Sequence, residues 1–199
     1  MTITWSRLGA LAAAVLLAAC DGGGPRFKST DITGVEYGRE LALTGHDGRP
    51  RTLAEFRGKA VVLFFGFTHC PDICPTTLAD MAGVMKALGA DAERVQVLFV
   101  TVDPERDTRE VLAKYVPAFD PRFLGMYGDA AATLRVAKEF KIFYEKRAGA
   151  TPQTYTVDHS AQSYVLDPQG RLRLFLRHDR IAADLADDLR ALLRQSGSG

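Results

Sequence analysis

The chain has 199 residues, of which 47% are hydrophobic, so it can bury one full-sized core, and its length favours a single domain. Its 25 basic and 24 acidic side chains nearly cancel, and no long basic run is present. We therefore expect no binding to nucleic acid or to another polyanion.

The first 19 residues have the composition of an export signal. Arg7 is their one charged side chain, and it precedes the apolar run LGALAAAVLLAA, which is too short to span a bilayer comfortably. The run ends in LAAC, which resembles the bacterial lipobox, at which the signal is cleaved and the cysteine is acylated. Asp21 resembles the signal that keeps such lipoproteins on the inner membrane. We predict a lipoprotein signal peptide at 1–19, lipid on Cys20 and a domain facing the periplasm; an uncleaved helical anchor is the alternative.

The rest of the chain predicts a tether, one domain and a short tail. The stretch DGGGPRFKSTD is rich in glycine and polar residues, which predicts a lipid-anchored flexible tether at 20–34. A folded domain is predicted at 35–195 and a disordered tail at 196–199.

The predicted elements of the domain alternate between strands and helices. They are, in chain order, a hairpin around Asp47-Gly48, a buried strand at 59–65, a helix at 75–88, a strand at 95–102, a helix from 107 to 119, a short strand at 124–127, a helix at 129–140, a loop insertion near 146–158, a hairpin at 163–177 and an amphipathic helix at 181–193. This order predicts an α/β fold of thioredoxin type, with a central mixed sheet flanked by helices and an N-terminal hairpin.

The stretch GFTHCPDICPTT holds Cys70 and Cys74 directly after the first buried strand. A strand leading in and a helix leading out place the thiols at the carboxyl end of a central strand, where open α/β sheets carry their chemistry. Pro75 disfavours the α conformation for the preceding residue, which predicts Cys74 at the start of the helix. The helix N-terminus favours thiolate, the form that reacts and binds metal.

The cysteine pair could be a redox dithiol, a metal clamp or a structural staple. A loop this short restricts the unfolded chain little, which makes the staple the weakest interpretation. Four helical residues would separate the two α-carbons by about 6 Å, within disulfide range, so the spacing permits a disulfide or a shared ion. The C-x-x-x-C spacing is one residue wider than the thioredoxin motif, which lets both sulfurs reach a metal from one side. Two thiolates form a soft site that favours Cu(I).

A third ligand would come from the four histidines. His46 lies in a turn and His178 in a charged run, so both are predicted at the surface. His69 adjoins Cys70 and is interpreted as a modulator of the thiol pKa or as a solvated loop residue. His159 immediately precedes a predicted strand, and it can face the cysteine loop if the two strands are neighbours.

Three motifs together resemble those of the Sco/SenC family, the copper proteins of cytochrome oxidase assembly. They are GKAVVLFFGFTHCPDICPTTL at 58–78, VTVDPERDT at 100–108 and VDHS at 157–160, the last followed by the strand YVLDPQG. The similarity runs from about Val35 to Leu193. It implies that the domain is a thioredoxin-like Sco domain that binds copper, Cu(I) or Cu(II), through Cys70, Cys74 and His159.

The resemblance also implies a membrane-tethered chaperone that delivers copper to the copper A site of cytochrome c oxidase. The expected partners are the copper A-bearing subunit and other periplasmic copper chaperones. Some family members act chiefly as thiol-disulfide reductases, which would make Cys70 and Cys74 a redox-active pair. An enzyme of another kind stays open, either a general thiol-disulfide oxidoreductase or a peroxiredoxin-like peroxidase. ICPTT resembles the VCPT of peroxiredoxins, but Pro71 stands where those enzymes have threonine.

Asp103 and Asp107 resemble the acidic motif of the family. Asp107 with Glu110 three residues later is also the pattern of a capping box, and Asp103 is interpreted as the anchor of a turn. Met81 and Met85 lie at helical spacing, which indicates core packing rather than copper ligation.

Overall fold

A strand of seven buried residues, Ala60–Gly66, runs through the middle of an eight-stranded sheet in the computed structural model, which describes residues 26–151 and 154–195. The predicted signal peptide, Cys20 and the tail at 196–199 lie outside these residues. Among the helices of the described residues, none is both long enough and apolar enough to cross a bilayer.

The sheets and helices have the following bounds. The strands are β1 (Thr30–Asp31), β2 (Ala42–Gly45), β3 (Pro50–Thr52), β4 (Ala60–Gly66), β5 (Val95–Thr101), β6 (Leu124–Tyr127), β7 (Tyr144–Arg147), β8 (Thr156–His159), β9 (Ser163–Leu166) and β10 (Leu172–Leu176). The α-helices are α1 (Ile73–Leu88), α2 (Arg109–Tyr115), α3 (Ala130–Glu139) and α4 (Ile181–Gln195), and 3₁₀ turns span Leu53–Phe56, Gly89–Arg94, Val116–Ala118 and His178–Arg180.

The main sheet has the order β1-β10-β9-β4-β5-β6-β2-β3. Strands β4, β5 and β6 are parallel and are joined through α1 and α2, whereas β9, β10, β1, β2 and β3 pair antiparallel. Gly66 at the end of β4 lies opposite Thr101 at the end of β5, so the two central strands end together. The predicted α/β class, with a central mixed sheet flanked by helices, is confirmed.

The core explains why β4 is an unbroken apolar run rather than an alternating one. Every residue of β4 is buried, which is typical of a parallel strand covered on both faces. The rings of Phe64 and Phe99 pack with centroids 6.0 Å apart. Met81 and Met85 are buried in the same core, as their helical spacing predicted.

The N-terminal hairpin is also confirmed, with β2 and β3 paired antiparallel at the edge of the main sheet. Gly48 closes its turn with a φ of 83°, and its N–H donates to the carbonyl of Gly45 at 2.7 Å. Because a β-carbon is strained in this left-handed region, the turn favours glycine at this position.

The folded domain begins earlier in the chain than residue 35. Thr30–Asp31 forms strand β1 beside β10, and the Asp188 carboxylate accepts the backbone N–H groups of Lys28 and Ser29 at 2.8 and 2.9 Å. Asp188 is buried, although the amphipathic pattern of the last helix predicted only its apolar face in the core. A charged helix residue thus holds the start of the domain.

The segment near 146–158 lies outside the main sheet, and it is the predicted insertion, but its two ends are strands rather than irregular loop. Strands β7 and β8 pair antiparallel as a separate two-stranded sheet, with Tyr144 opposite His159 and Arg147 opposite Thr156. Strand β7 is mostly exposed and β8 alternates, so neither carries the apolar run by which strands are recognised.

Candidate metal centre

The cysteine loop leaves the carboxyl end of β4 and enters α1, as the sequence predicted. The helix begins at Ile73, two residues before Pro75, because proline is tolerated in the first turn of a helix. Cys74 is therefore its second residue and is fully buried, whereas Cys70 lies half-buried in the loop. Both are free thiols, and the backbone N–H of Cys74 donates to Cys70 Sγ at 3.4 Å.

The end of β4 is shaped around the buried sulfur. A β-carbon built on Gly66 would lie 2.9 Å from Cys74 Sγ and 2.9 Å from Cε2 of Phe99. Both separations are shorter than van der Waals contact. Glycine at 66 thus leaves the space that the Cys74 sulfur occupies.

His159 lies near the cysteine loop because strand β9, which follows it in the chain, pairs with β4. Strand β9 lies antiparallel beside β4, with Ser163 opposite Phe64, so the residues that precede β9 come to the carboxyl end of β4. There His159 Nε2 lies 3.6 Å from Cys74 Sγ. The ligand atoms of Cys70, Cys74 and His159 all lie within 4.8 Å of one another.

The imidazole is held with one nitrogen facing the thiols. His159 Nδ1 lies 2.9 Å from the carbonyl oxygen of Ser160, which can only accept a hydrogen bond. Nδ1 therefore carries the proton in the neutral ring, and the lone pair of Nε2 points toward Cys74. The rings of Phe64 and Phe67 pack edgewise on the imidazole at 6.5 and 5.7 Å between centroids.

The two thiols have opposite electrostatics. The hydrogen bond from the Cys74 thiol, supported by the N–H groups of Asp72 and Cys74, lowers the pKa of Cys70 to about 3 despite partial burial. The same hydrogen bond and its deep burial raise the pKa of Cys74. Without metal, the pair thus holds one proton, and the thiolate is the more accessible Cys70.

Asp107 supports the loop from below and does not cap a helix. Its buried carboxylate accepts the N–H and hydroxyl of Thr68 at 3.0 and 2.6 Å and the hydroxyl of Thr101 at 2.6 Å. Burial raises the pKa of Asp107, and the hydrogen bonds oppose that rise. The predicted capping box is wrong, because Thr108 is the N-cap of α2 and accepts the Val111 N–H at 3.4 Å.

The other three histidines are not members of the cluster formed by Cys70, Cys74 and His159. The side chain of His69 is 54% exposed, and its Nδ1 atom lies 3.2 Å from the Thr68 hydroxyl oxygen. His46 is not the surface residue that its turn predicted, because its Nδ1 accepts the Gly125 N–H at 2.9 Å and partial burial lowers its pKa. His178 lies on the 3₁₀ turn before α4 and is partly exposed.

An open cavity of about 290 Å³ leads to the ligands from solvent. Cys70 and His159 line it together with apolar side chains that include Phe67, Ile73 and Val157. The half-buried Cys70 and the imidazole are therefore accessible from solvent, whereas Cys74 lies behind them.

The donor set suits one soft ion. Two sulfurs and one imidazole nitrogen match Cu(I), and the same set also suits Zn(II). Metal–sulfur and metal–nitrogen bonds are about 2.0–2.3 Å long, so an ion bound to all three atoms would draw them slightly closer together than the 4.8 Å within which they lie. Among the described residues this is the only such group of three or more His, Cys, Asp or Glu side chains.

The fold and the site together define a thioredoxin-like protein with a dithiol and an imidazole at the end of its central strand. The family model described as SCO1/SenC matches residues 30–194, and the chain belongs to this family. The resemblance read from the three sequence motifs is confirmed.

Similar proteins occur in mitochondria and in bacteria. A mitochondrial SCO2 homologue from Bos taurus is 42% identical over 153 residues, which cover 76% of this chain and 58% of that protein. A SCO2-like protein from Rickettsia prowazekii is 34% identical over 145 residues, covering 72% of this chain and 69% of that protein. The chain thus spans about three fifths of the length of the mammalian SCO2 homologues it matches.

Solved structures show the same fold. Apo Sco1 from Thermus thermophilus is 43% identical with a TM-score of 0.76, covering 84% of this chain and 98% of that chain. Copper-bound ScoI from Bradyrhizobium japonicum is 36% identical with a TM-score of 0.73, covering 79% of this chain and 99% of that chain. The predicted thioredoxin-like fold is confirmed by these likenesses.

Proposed function

We propose that this chain is a membrane-tethered copper chaperone for the copper A site of cytochrome c oxidase. The observation that carries the proposal is the meeting of Cys70, Cys74 and His159 ligand atoms within 4.8 Å of one another. Similar proteins with the same fold, from Bradyrhizobium japonicum and Arabidopsis thaliana, have been solved with copper bound. The ion here is cargo, held by Cys70 and Cys74 as thiolates and by His159 Nε2.

Transfer would proceed by exchange of ligands through the open cavity. An incoming cysteine of the acceptor binds the ion from the side of Cys70 and His159, which line that cavity. As new sulfur ligands attach, the accessible ligands detach first and the buried Cys74 last. A soft ion favours this route because each intermediate keeps it bound to sulfur.

The same pair supports a second activity, reduction of a disulfide in the acceptor. The lowered pKa of Cys70 supplies a thiolate at neutral pH. Cys70 attacks one sulfur of the acceptor disulfide and releases the other as a thiolate. Cys74 then loses its proton and displaces the remaining acceptor thiolate, forming the Cys70–Cys74 disulfide. Two electrons pass to the acceptor, and this chain can no longer hold copper until it is reduced.

A peroxiredoxin-like reaction fits the site poorly. It would need Cys74 as the attacking thiolate, yet this sulfur is fully buried and its pKa is raised. Pro71 also stands in place of the threonine that those enzymes use.

We propose that the domain is held at the outer face of the inner membrane. The support is the sequence of residues 1–20, in which a short apolar run ends in a lipobox-like LAAC. Cys20 would carry the lipid. The chain belongs to the folded domain from Lys28 onward.

The test is anaerobic titration of the reduced chain with Cu(I), followed by mixing with an isolated copper A domain. Metal and thiols are scored in both proteins. We expect one tightly bound Cu(I) per chain and its movement to the acceptor. Movement of electrons without metal would assign the chain to reduction alone, and neither movement would overturn the proposal.

A further inference from the structure

The turn between β5 and α2 contacts both halves of the metal centre without supplying a ligand. Its Asp107 holds Thr68 in the cysteine loop, as described above. Its Asp103, four residues earlier, accepts the hydroxyl of Tyr155 at 2.7 Å, just before the strand that carries His159. This short segment therefore contacts Thr68, in the loop that carries the cysteines, and Tyr155, beside the strand that carries His159.

Three side chains form the contact with the His159 strand. The Asp103 carboxylate is fully buried and also accepts Arg106 Nε at 2.5 Å. The Arg106 guanidinium lies 3.6 Å from the centroid of the Tyr155 ring and donates from Nη1 to the Tyr155 carbonyl at 2.8 Å. Charge-assisted hydrogen bonds and a cation stacked on a ring are among the stronger polar contacts. We call Asp103, Arg106 and Tyr155 the clamp.

The strand that carries His159 needs such an anchor. Within the described residues, β8 pairs with β7 alone and with no strand of the main sheet. An isolated two-stranded hairpin is at best marginally stable in water. The ion pair between Lys146 and Glu105 also bridges the hairpin to the domain, but both side chains are largely exposed and contribute little.

We propose that the clamp positions His159 at the dithiol and thereby sets the affinity for Cu(I), an inference that rests on the proposed function. Tyr155 lies directly before β8, and His159 is the last residue of that strand, four positions later. Fixing Tyr155 on the buried carboxylate fixes where β8 starts. Its alternating register then directs the imidazole to the thiols, with Val157 buried between the two positions.

Tyr155→Phe separates this role from packing. The substitution removes the hydroxyl that binds Asp103 and keeps the ring under Arg106. Loss of a group that orients a metal ligand typically lowers metal affinity by about 10–100-fold. We expect a loss in that range for Cu(I). Tyr127→Phe, at the end of β6, is the matched control for deletion of a tyrosine hydroxyl, and we expect its Cu(I) affinity to be unchanged.

The decisive measurement is a double-mutant cycle with His159→Ala. The full chain is purified in detergent, reduced, and titrated anaerobically with Cu(I) against a chromophoric Cu(I) chelator. If Tyr155 acts through His159, Tyr155→Phe weakens binding about 10–100-fold in the parent and has no further effect in the His159→Ala chain. Equal losses in both backgrounds, or no loss in either, would overturn the clamp.

A metal-free readout accompanies the titration. Hydrogen exchange of the β8 amides should be faster in the Tyr155→Phe apo chain, while exchange in α1 and β4 stays at the parent rate. If Tyr155→Phe fails to fold, Arg106→Gln is carried through the same cycle with the same expectation. If His159→Ala alone leaves Cu(I) affinity unchanged, the proposed function fails and the clamp with it. If His159→Ala weakens binding and neither clamp variant does, only the clamp fails.

Discussion

His159 Nε2 lies 3.6 Å from Cys74 Sγ, although the two residues are 85 positions apart in the sequence. Neither the cysteine loop nor the β7–β8 hairpin creates this proximity alone. It follows from the antiparallel pairing of β9 with β4, which brings the start of one strand to the end of the other. The proximity of these candidate ligands is thus a consequence of sheet order.

Removal of the imidazole should leave the fold and weaken the site. For His159→Ala we expect at least a 10-fold loss of Cu(I) affinity, because one of three ligand atoms is gone while both thiolates stay. His178→Ala is the matched control, since that histidine lies on the turn before α4. Chelator competition measures the affinities and far-ultraviolet circular dichroism the fold. Equal affinity for both variants would remove His159 from the ligand set.

A methyl group at Gly66 should disturb both packing and ligation. Gly66→Ala places a β-carbon against Cys74 Sγ and Phe99, and such overpacking costs about 1–3 kcal/mol of unfolding free energy. Because the sulfur must move, Cu(I) affinity should fall as well. Gly83→Ala in α1 meets nothing within 4 Å and should stabilise the chain by up to about 1 kcal/mol. Chemical denaturation compares the two, and equal stabilities would contradict the packing described here.

The two thiols should differ in alkylation. Since the pKa of Cys70 is about 3 and that of Cys74 is raised, iodoacetamide should modify Cys70 first, at a rate nearly constant from pH 8 to pH 5. Below that window the rate falls as the Cys70 thiolate takes up a proton. Cys74→Ala removes the hydrogen bond that lowers the pKa of Cys70, so the midpoint should move to higher pH. Peptide mass spectrometry locates the label; faster labelling of Cys74 would contradict the assignment.

The attachment of the N-terminal segment should depend on Asp188. Asp188→Ala leaves the N–H groups of Lys28 and Ser29 without their acceptor, which should cost about 1–3 kcal/mol of unfolding free energy. It should also speed proteolysis before β1. Asp187→Ala is the neighbouring control, because this aspartate is largely exposed and pairs with Lys28 only at the surface. Similar losses in the two variants would indicate that burial of Asp188 is irrelevant.

Lipid attachment should depend on Cys20. Cys20→Ser should abolish labelling by a fatty-acid probe in a bacterial host. Cys70→Ser is the control for loss of a cysteine, and it should stay lipid-modified. A parent chain that takes up no fatty-acid label and keeps residues 1–19 would instead support the uncleaved helical anchor.

Local sequence was sufficient to predict an element where one feature of the sequence dominated, as in the apolar run of β4, the turn at Gly48 and the cysteine loop. It was insufficient where two roles share one pattern. Asp107 and Thr108 are both good cap residues, and only the tertiary structure shows that Asp107 is buried under Thr68 while Thr108 caps the helix. The β7–β8 hairpin was missed because its strands are short and polar. Its anchor, Tyr155 on Asp103, joins residues 52 positions apart.

The two cysteines belong to a loop and helix built on the large sheet, whereas the histidine belongs to the small one. An ion held by all three would act as a cross-link between two sheets that share no strand pairing among the described residues. The stability of the folded chain would then depend on whether the ion is bound. The melting temperature should rise with free Cu(I) by the usual linkage relation, and the gain should concentrate in the hairpin. A thermal melt would therefore distinguish the copper-bound chain from the copper-free chain.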